Sequence, residues 1–221
     1  MSKLTAWSYS RISLWEQCPL KFKLKHIDKL PEEQSPAASR GDTIHKEAAA
    51  FISGATTGFP PSLAKFDAQM WELHDLPRDS VVVEQQWGFT KSWRPTGWFG
   101  ANTWFRNILD VGVVYPDGHS DVVDHKTGKE YPDHADQREL NALSLMCRFP
   151  DVSHVTSRMW YLDAGHETIA EFEQHQKGEL QEKWEKRVAP MFADTVFAPR
   201  PNDKCKWCAY ARSKNGPCKF G

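Results

Sequence analysis

Hydrophobic and polar residues along this chain alternate with two different periods. A three-to-four-residue period is typical of an amphipathic helix, and a two-residue period is typical of a strand. The helical period is clearest at Ile44, Ala48, Phe51 and Ile52. The segments predicted to be helical are 10–17, 41–53, 63–76, 134–148 and 174–190. The segments predicted to be strands are 81–84, 98–104, 108–115, 120–126, 155–162 and 169–172.

The order of these elements predicts an α/β fold with a mixed central sheet flanked by helices. The turn sequence Pro116-Asp117-Gly118 separates two of the predicted strands. Strands separated by so short a turn form an antiparallel hairpin. We therefore expect segments 108–115 and 120–126 to pair, which brings Asp110 near Asp124.

Asp110 and Asp124 each follow a run of apolar residues, and Lys126 comes two positions after the second aspartate. A buried carboxylate is costly unless a cation or hydrogen bonds compensate it. Residues two apart in a strand project to one face, so Asp124 and Lys126 share a face and His125 points away from it. Two carboxylates beside an amine suit a hard divalent cation and metal-assisted phosphodiester hydrolysis.

Three further residues are candidates for the same site. His45 lies at the edge of the second predicted helix, and imidazole accepts Mn²⁺ as a ligand. The amide of Gln137, at the start of the helix after the hairpin, could hold a catalytic lysine or a phosphate. Glu84, on an earlier strand, is a candidate for an outer position of the site or for the side that faces its substrate.

Charge is distributed unevenly over the 221 residues, although the net charge is only −1. Segments 1–30 and 199–221 have net charges of +4 and +5, which leaves −10 for the remainder. If the ends meet, they form a basic lobe suited to a polyanion. Trp7, Trp15 and Trp207 lie in these segments, where their rings could stack on unpaired bases.

No apolar run approaches the length of about 20 residues needed to span a bilayer. The N-terminal residues lack the apolar core of a signal peptide, so we expect a cytoplasmic location. Structural disulfides are rare in that compartment, and its paired cysteines more often bind metal. Four cysteines near the two ends could supply thiolates either to Zn²⁺ or to an iron–sulfur cluster, namely Cys18, Cys205, Cys208 and Cys218.

Together these residues resemble the RecB-like branch of the PD-(D/E)XK nuclease superfamily, specifically its iron–sulfur exonucleases, which include CRISPR-associated and phage-encoded members. The resemblance spans nearly the whole chain, and segment 8–22 is similar to the N-terminal helix of that branch. The other matched motifs are Gly41-x-x-x-His45, Ile108-Leu109-Asp110-Val111-Gly112, Asp124-His125-Lys126 and Cys205-x-x-Cys208-x9-Cys218. The chain departs from the family where Gln137 is followed four residues later by Asn141 instead of tyrosine.

The resemblance implies one restriction-endonuclease-like nuclease domain over residues 1–221, in which segments 1–30 and 199–221 form a clasp lobe. Zinc is the alternative to a 4Fe-4S cluster on the four cysteines of this lobe. The resemblance also implies Mg²⁺ or Mn²⁺ held by His45, Asp110, Asp124 and the carbonyl of His125. Lys126 would assist the attacking water, and Gln137 would help to place the scissile strand.

The function expected from this resemblance is a DNA exonuclease acting on single strands or duplex ends, in recombination, repair or CRISPR-related processing. Its partners would be DNA and, in such pathways, recombination or CRISPR adaptation proteins; a phage-encoded member would act in the host cytoplasm. The alternative is a DNA-binding accessory factor that retains the nuclease fold without hydrolysis. The departure at Asn141 is compatible with that alternative.

Overall fold

A six-stranded mixed sheet forms the centre of residues 36–182, which confirms the predicted α/β class. A computed structural model describes residues 4–221. The strands are β1 (Val81–Phe89), β2 (Pro95–Thr96), β3 (Phe105–Val114), β4 (His119–Lys126), β5 (His154–Tyr161) and β6 (His166–Glu173). Their order is β2-β1-β3-β4-β5-β6; β4 and β5 are parallel, and the other neighbours are antiparallel.

Helices cover both faces of this sheet. The α-helices are α1 (Tyr9–Gln17), α2 (Pro19–Phe22), α3 (Pro36–Ile52), α4 (Asp67–Asp75), α5 (His134–Arg148) and α6 (Lys177–Ala193). A π-helical turn follows α2 (Lys23–Ile27), and 3₁₀ segments occur at Pro61–Phe66, Gln174–Gln176, Asp203–Trp207 and Arg212–Lys214. The apolar stripe of α3 packs with α4 against Val111, Val113 and Val123, which forms the core on one face. Helix α5 contacts the other face.

The predicted hairpin is confirmed as β3 and β4. Val111 pairs with Val123 and Val114 pairs with Ser120, so Asp110 and Asp124 occupy the next facing positions. Gly118 closes the turn with φ of +87°, a conformation that glycine adopts without steric cost. Helix α5 then connects β4 to the parallel strand β5, as a parallel pair requires.

The strand predicted over residues 98–104 is wrong. Strand β2 contains only Pro95 and Thr96, and residues 97–104 form a loop. The loop forms because its polar groups bond locally: Gly100 N–H donates to the Gly97 carbonyl, and the Thr103 hydroxyl donates to the same oxygen at 2.8 Å. Alternating aromatic residues in this stretch mimic a strand without forming a ladder.

The boundaries of two helices also differ from the prediction. Helix α3 begins at Pro36, five residues before the expected start, because proline is favoured in the first turn of a helix. The helix expected over 63–76 begins as a 3₁₀ segment and becomes α-helical only at Asp67.

Side-chain alternation shifts by one residue within β3. Asn107 faces α5, where its Nδ2 donates to Asn141 Oδ1 at 3.0 Å, whereas Val111 packs into the core beneath α3. Regular alternation would place residues 107 and 111 on the same face. The shift coincides with Glu84, whose φ is +49°, directly opposite Asp110 on the neighbouring strand.

The same shift occurs in β1. Trp87 contacts Phe149 at the end of α5, with ring centroids 5.9 Å apart, whereas Val83 packs against the core on the α3 face. The ladder of β1 and β3 is regular on both sides of Glu84 but does not pair Glu84 with Asp110. A local break in pairing of this kind re-aims the side chains beside it.

The second unit comprises residues up to 35 together with 183–221. The two terminal segments pack on each other here. Arg187 forms a two-pronged ion pair with Glu16 at 2.8 and 2.9 Å, and Trp15 Nε1 donates to Asp194 at 2.8 Å. Trp7 is fully buried and stacks on Trp184. Its ring therefore cannot stack on unpaired bases, contrary to the expectation from the sequence. No helix within residues 4–221 is both long and apolar enough to cross a membrane.

Candidate metal centre

Three side chains from three separate elements converge on the α3 face of the sheet. His45 on α3, Asp110 on β3 and His125 on β4 each offer one ligand atom, and these atoms lie within 4.8 Å of one another. We call this group the triad. The stripe of α3 accounts for the position of His45, because burying Ile44 and Ala48 leaves the next side chain at the edge of the packed face.

Asp110 is the centre of the triad. Its Oδ2 accepts the backbone N–H of His125 at 2.8 Å and lies 3.3 Å from Nδ1 of His45. Burial favours the neutral carboxyl, but the interactions with His45 and His125 outweigh it and hold the pKa of Asp110 below its usual range. Asp110 is therefore a buried carboxylate, which is the form that binds a cation.

His45 is a cation in the absence of metal. Burial lowers its pKa, but the hydrogen bond and the charge of Asp110 more than compensate, and the pKa rises to about 9. The carboxylates of Asp124 and Glu84 contribute to this increase. Asp110 thus favours a positive charge beside it, and a bound metal cation would supply such a charge.

His125 differs from His45 although both rings are close, with centroids 5.9 Å apart. Burial lowers the pKa of His125 to about 4, so its ring is neutral at physiological pH. Its Nε2 is buried, and no group in residues 4–221 forms a hydrogen bond with it. An orphaned, neutral imidazole nitrogen beside a carboxylate is a fitting donor for a divalent metal.

A second group lies on the α5 face and consists of Asp124, Lys126 and Gln137, which we call the lysine group. Lys126 Nζ donates to Gln137 Oε1 at 2.8 Å, and Gln137 Nε2 donates to Asp124 Oδ1 at 2.7 Å. Lys126 Nζ also lies 2.5 Å from Asp124 Oδ2, although not in hydrogen-bonding geometry. Asp124 and Lys126 share a face, as expected, and His125 points to the opposite one.

The two groups interact electrostatically. Burial raises the pKa of Asp124, and the charge of Lys126 lowers it. The charge of Asp110 raises it further, so that the pKa of Asp124 lies above its ordinary value. Glu84 is affected in the same way, because partial burial and Asp110 raise its pKa. Its Oε1 lies 3.9 Å from His45 Nδ1. Several carboxylates that destabilise one another at one place are an arrangement that a bound cation would relieve.

The lysine group is extended by Asn141, which the sequence identified only as a departure from the family motif, and by Asn107, which no motif identified. Asn141 Nδ2 lies 3.5 Å from Asp124 Oδ1, and its Oδ1 accepts from Asn107, which also donates to Ser144. Asn141 is one helical turn after Gln137, so its spacing was the available signal. The amide at this position contacts Asp124 directly, where the resembled family has tyrosine.

The four terminal cysteines line one cavity in the unit formed by the chain ends. The cavity measures about 260 Å³, and its wall includes Cys18, Cys205, Cys208 and Cys218. All four are unbonded thiols of intermediate exposure. The fifth cysteine, Cys147, is buried in the sheet-containing unit and accepts from Gln181.

Comparisons with known proteins identify the family of this chain and a similar fold. Residues 6–213 match the family model described as the PD-(D/E)XK nuclease superfamily. A solved structure titled "Crystal structure of SSO0001" is similar in fold, with a TM-score of 0.52 and 14% sequence identity, over 100% of this chain and 90% of that one. No curated protein matches the sequence.

Proposed function

Because the chain belongs to the PD-(D/E)XK nuclease superfamily, we propose that it is a divalent-metal-dependent DNA exonuclease. Its substrates would be single strands or duplex ends, in recombination, repair or CRISPR-related processing. The observation that supports this most directly is the convergence of His45 and Asp110 beside Asp124 and its lysine.

The donor set of the site fits Mg²⁺ or Mn²⁺. Asp110 supplies a hard oxygen ligand, and His45 supplies an imidazole that tolerates Mn²⁺ better than Mg²⁺. Asp124 lies outside this triad but interacts with both residues electrostatically, and it is the second carboxylate ligand that the family resemblance implies. The carbonyl of His125 is the fourth ligand that the family resemblance implies, and its orphaned ring nitrogen offers another donor. When bound, the ion would polarise the phosphoryl group and increase the acidity of a coordinated water.

Lys126 and Gln137 would act on the attacking side. The Gln137 amide accepts from Lys126 and donates to Asp124, so it fixes the ammonium relative to the carboxylate. An ammonium held in this way can orient the attacking water and stabilise the negative charge that develops on the phosphoryl oxygens. Gln137 would also help to place the scissile strand.

The proposal is tested with purified protein, Mn²⁺ and end-labelled single-stranded DNA. We expect Asp124→Asn to lower the hydrolysis rate by at least about 100-fold, because it removes a charged ligand without changing the shape of the side chain. Asp151→Asn, at an exposed turn, is the matched control and should cleave like the wild type. Equal cleavage by wild type and Asp124→Asn would refute the assignment. Salt-sensitive DNA binding without any cleavage product would support the alternative of an accessory factor, with which the amide of Asn141 is compatible.

We further propose that the terminal cysteines hold a 4Fe-4S cluster that joins the two ends in a clasp. All four thiols face one cavity of about 260 Å³. Four thiolates in one wall suit such a cluster, which the family resemblance implies, and a zinc ion with four Zn–S bonds of about 2.3 Å is the alternative.

Iron content and the visible spectrum of anaerobically purified protein test this proposal. We expect a brown protein that absorbs near about 400 nm and contains iron. Cys18→Ser should lose the colour, whereas Cys147→Ala should retain it, because Cys147 is not part of the cavity wall. A colourless wild type that contains zinc would refute the cluster and leave the nuclease proposal intact.

A further inference from the structure

Two aromatic rings stand exposed at the end of the sheet beyond the triad. Phe99 is 85% exposed, and Trp98 beside it is partly exposed. The guanidinium of Arg106 lies over both rings, 5.4 Å from the centroid of Trp98 and 5.5 Å from that of Phe99. A cation over two rings, with one of them open to solvent, combines positive charge with a free aromatic surface.

The loop that presents these rings is held in place by close packing. The Thr103 side chain bonds to the Gly97 carbonyl, and a Cβ on Gly88 of β1 would come within 2.6 Å of the same oxygen. The backbone of the loop therefore rests directly on β1, and only glycine allows this approach. Phe99 is exposed because a well-packed loop holds it outward.

The rings lie on the same face of the sheet as the triad. Arg106 and Ile108 point away from Asn107, which faces α5, and so they project on the face where His45 lies. Ile108 is 44% exposed and pairs across the sheet with Gln86. Arg106 precedes Asp110 by four positions in β3, or about 14 Å at the rise of a strand.

We propose that Trp98, Phe99 and Arg106 form a stacking platform for unpaired bases of the DNA strand whose backbone enters the triad. This inference rests on the proposed nuclease function, because it assumes that the scissile phosphate lies at Asp110. Bases a few nucleotides from that phosphate stack on Phe99, and Arg106 attracts the backbone. The exposed strip of Ile108 and Gln86 lies under the nucleotides between the platform and the triad.

Paired bases do not expose their faces, so the platform selects single strands or frayed ends. Stacking is tolerant of base identity, since every base has a π-face. The platform therefore provides the affinity for unpaired DNA without selecting a sequence. The platform consists of residues other than the tryptophans of the terminal segments, of which Trp7 is buried.

The platform is tested by fluorescence anisotropy with a fluorescein-labelled oligothymidylate of about 12 nucleotides, within the range of known single-strand sites. EDTA is present throughout, so binding is measured without hydrolysis. We expect Phe99→Ala and Phe99→Leu each to weaken binding by about 5- to 100-fold, the loss of one stacked base. Phe99→Tyr keeps the ring and should bind like the wild type. Ile169→Ala, which removes an exposed apolar side chain on β6, is the control and should have no effect.

Two further arms define what the platform recognises. Arg106→Gln should reduce the slope of log affinity against log salt by about 0.7, as expected for one lost phosphate contact on a single strand. A blunt duplex should bind Phe99→Ala and wild type equally. The proposal is overturned if wild type does not bind the oligonucleotide, if Phe99→Leu binds it as wild type does, or if duplex and single strand lose affinity equally. Cleavage assays decide the nuclease proposal separately, because the anisotropy measurement needs no metal.

Discussion

Replacing Glu84 with glycine should stabilise the protein while damaging its site. Glu84 has φ of +49° within a strand, a conformation that costs a residue other than glycine about 1–3 kcal/mol. Glycine removes this strain but increases the entropy of the unfolded chain by about 0.5–1 kcal/mol. The net gain in the free energy of unfolding is therefore about 0–2.5 kcal/mol.

Charge adds to this gain in a pH-dependent way. Partial burial and Asp110 raise the pKa of Glu84, so its carboxylate lowers stability at pH values above the ordinary pKa of a glutamate. The stabilisation from Glu84→Gly should thus be greater at pH 7 than at pH 4. Glu84→Gln, which keeps the backbone strain and removes the charge, separates the two contributions.

Urea unfolding at both pH values measures these effects, and Gln86→Gly is the matched control. Gln86 lies in the same strand without positive φ, so glycine there should destabilise by about 1 kcal/mol. Hydrolysis by Glu84→Gly should decrease, because its carboxylate faces His45. The reasoning is refuted if Glu84→Gly destabilises the protein as much as Gln86→Gly does.

Three other perturbations have defined outcomes. Mn²⁺ at about 100 times its Kd should stabilise the wild type by about 2.7 kcal/mol in thermal unfolding, and equal stabilisation of Asp110→Asn would contradict the metal site. Lys126→Met removes the ammonium 2.5 Å from Asp124. Steady-state kinetics should show kcat reduced by about 100- to 1,000-fold with little change in KM, and an unchanged kcat would exclude the catalytic role of Lys126. Burial, and after it the charge of Arg11, lowers the pKa of His26 to about 4. The neutral ring is therefore compatible with the folded state above pH 6.5, and the protein loses stability as the pH falls from 6.5 towards 4, because the unfolded chain binds the proton first. Urea unfolding of His26→Gln should therefore depend less on pH over this interval than that of the wild type, and parallel curves would contradict this account.

The β3–β4 hairpin and the α3 helix could be predicted because their signals are local. A Pro-Asp-Gly turn sets the pairing of the strands beside it, and the apolar stripe of α3 identifies the face that it buries. The strand predicted over 98–104 failed for a related reason. Alternating aromatic residues resemble a strand, but the hydrogen bonds around Gly97 favour a loop.

Part of the candidate site was also accessible from local spacing. Asp124 and Lys126 lie two residues apart in a strand, which places them on one face with His125 on the other, and the structure has this arrangement. The role of Asn141 was less accessible. Its contacts with Asn107 and Asp124 join three separate elements, and no short-range pattern reports such a contact.

The amino-acid sequence alone determined the order of the elements, the hairpin, the spacing of the carboxylates and the superfamily, because each of these depends on neighbours along the chain. Only the tertiary structure decided that side-chain alternation shifts at Glu84 and Asp110. It also decided that the His125 ring turns towards His45, and that Phe99 projects beside Arg106. A one-residue shift changes the face that each later side chain occupies, and its free energy depends on packing between residues far apart in sequence.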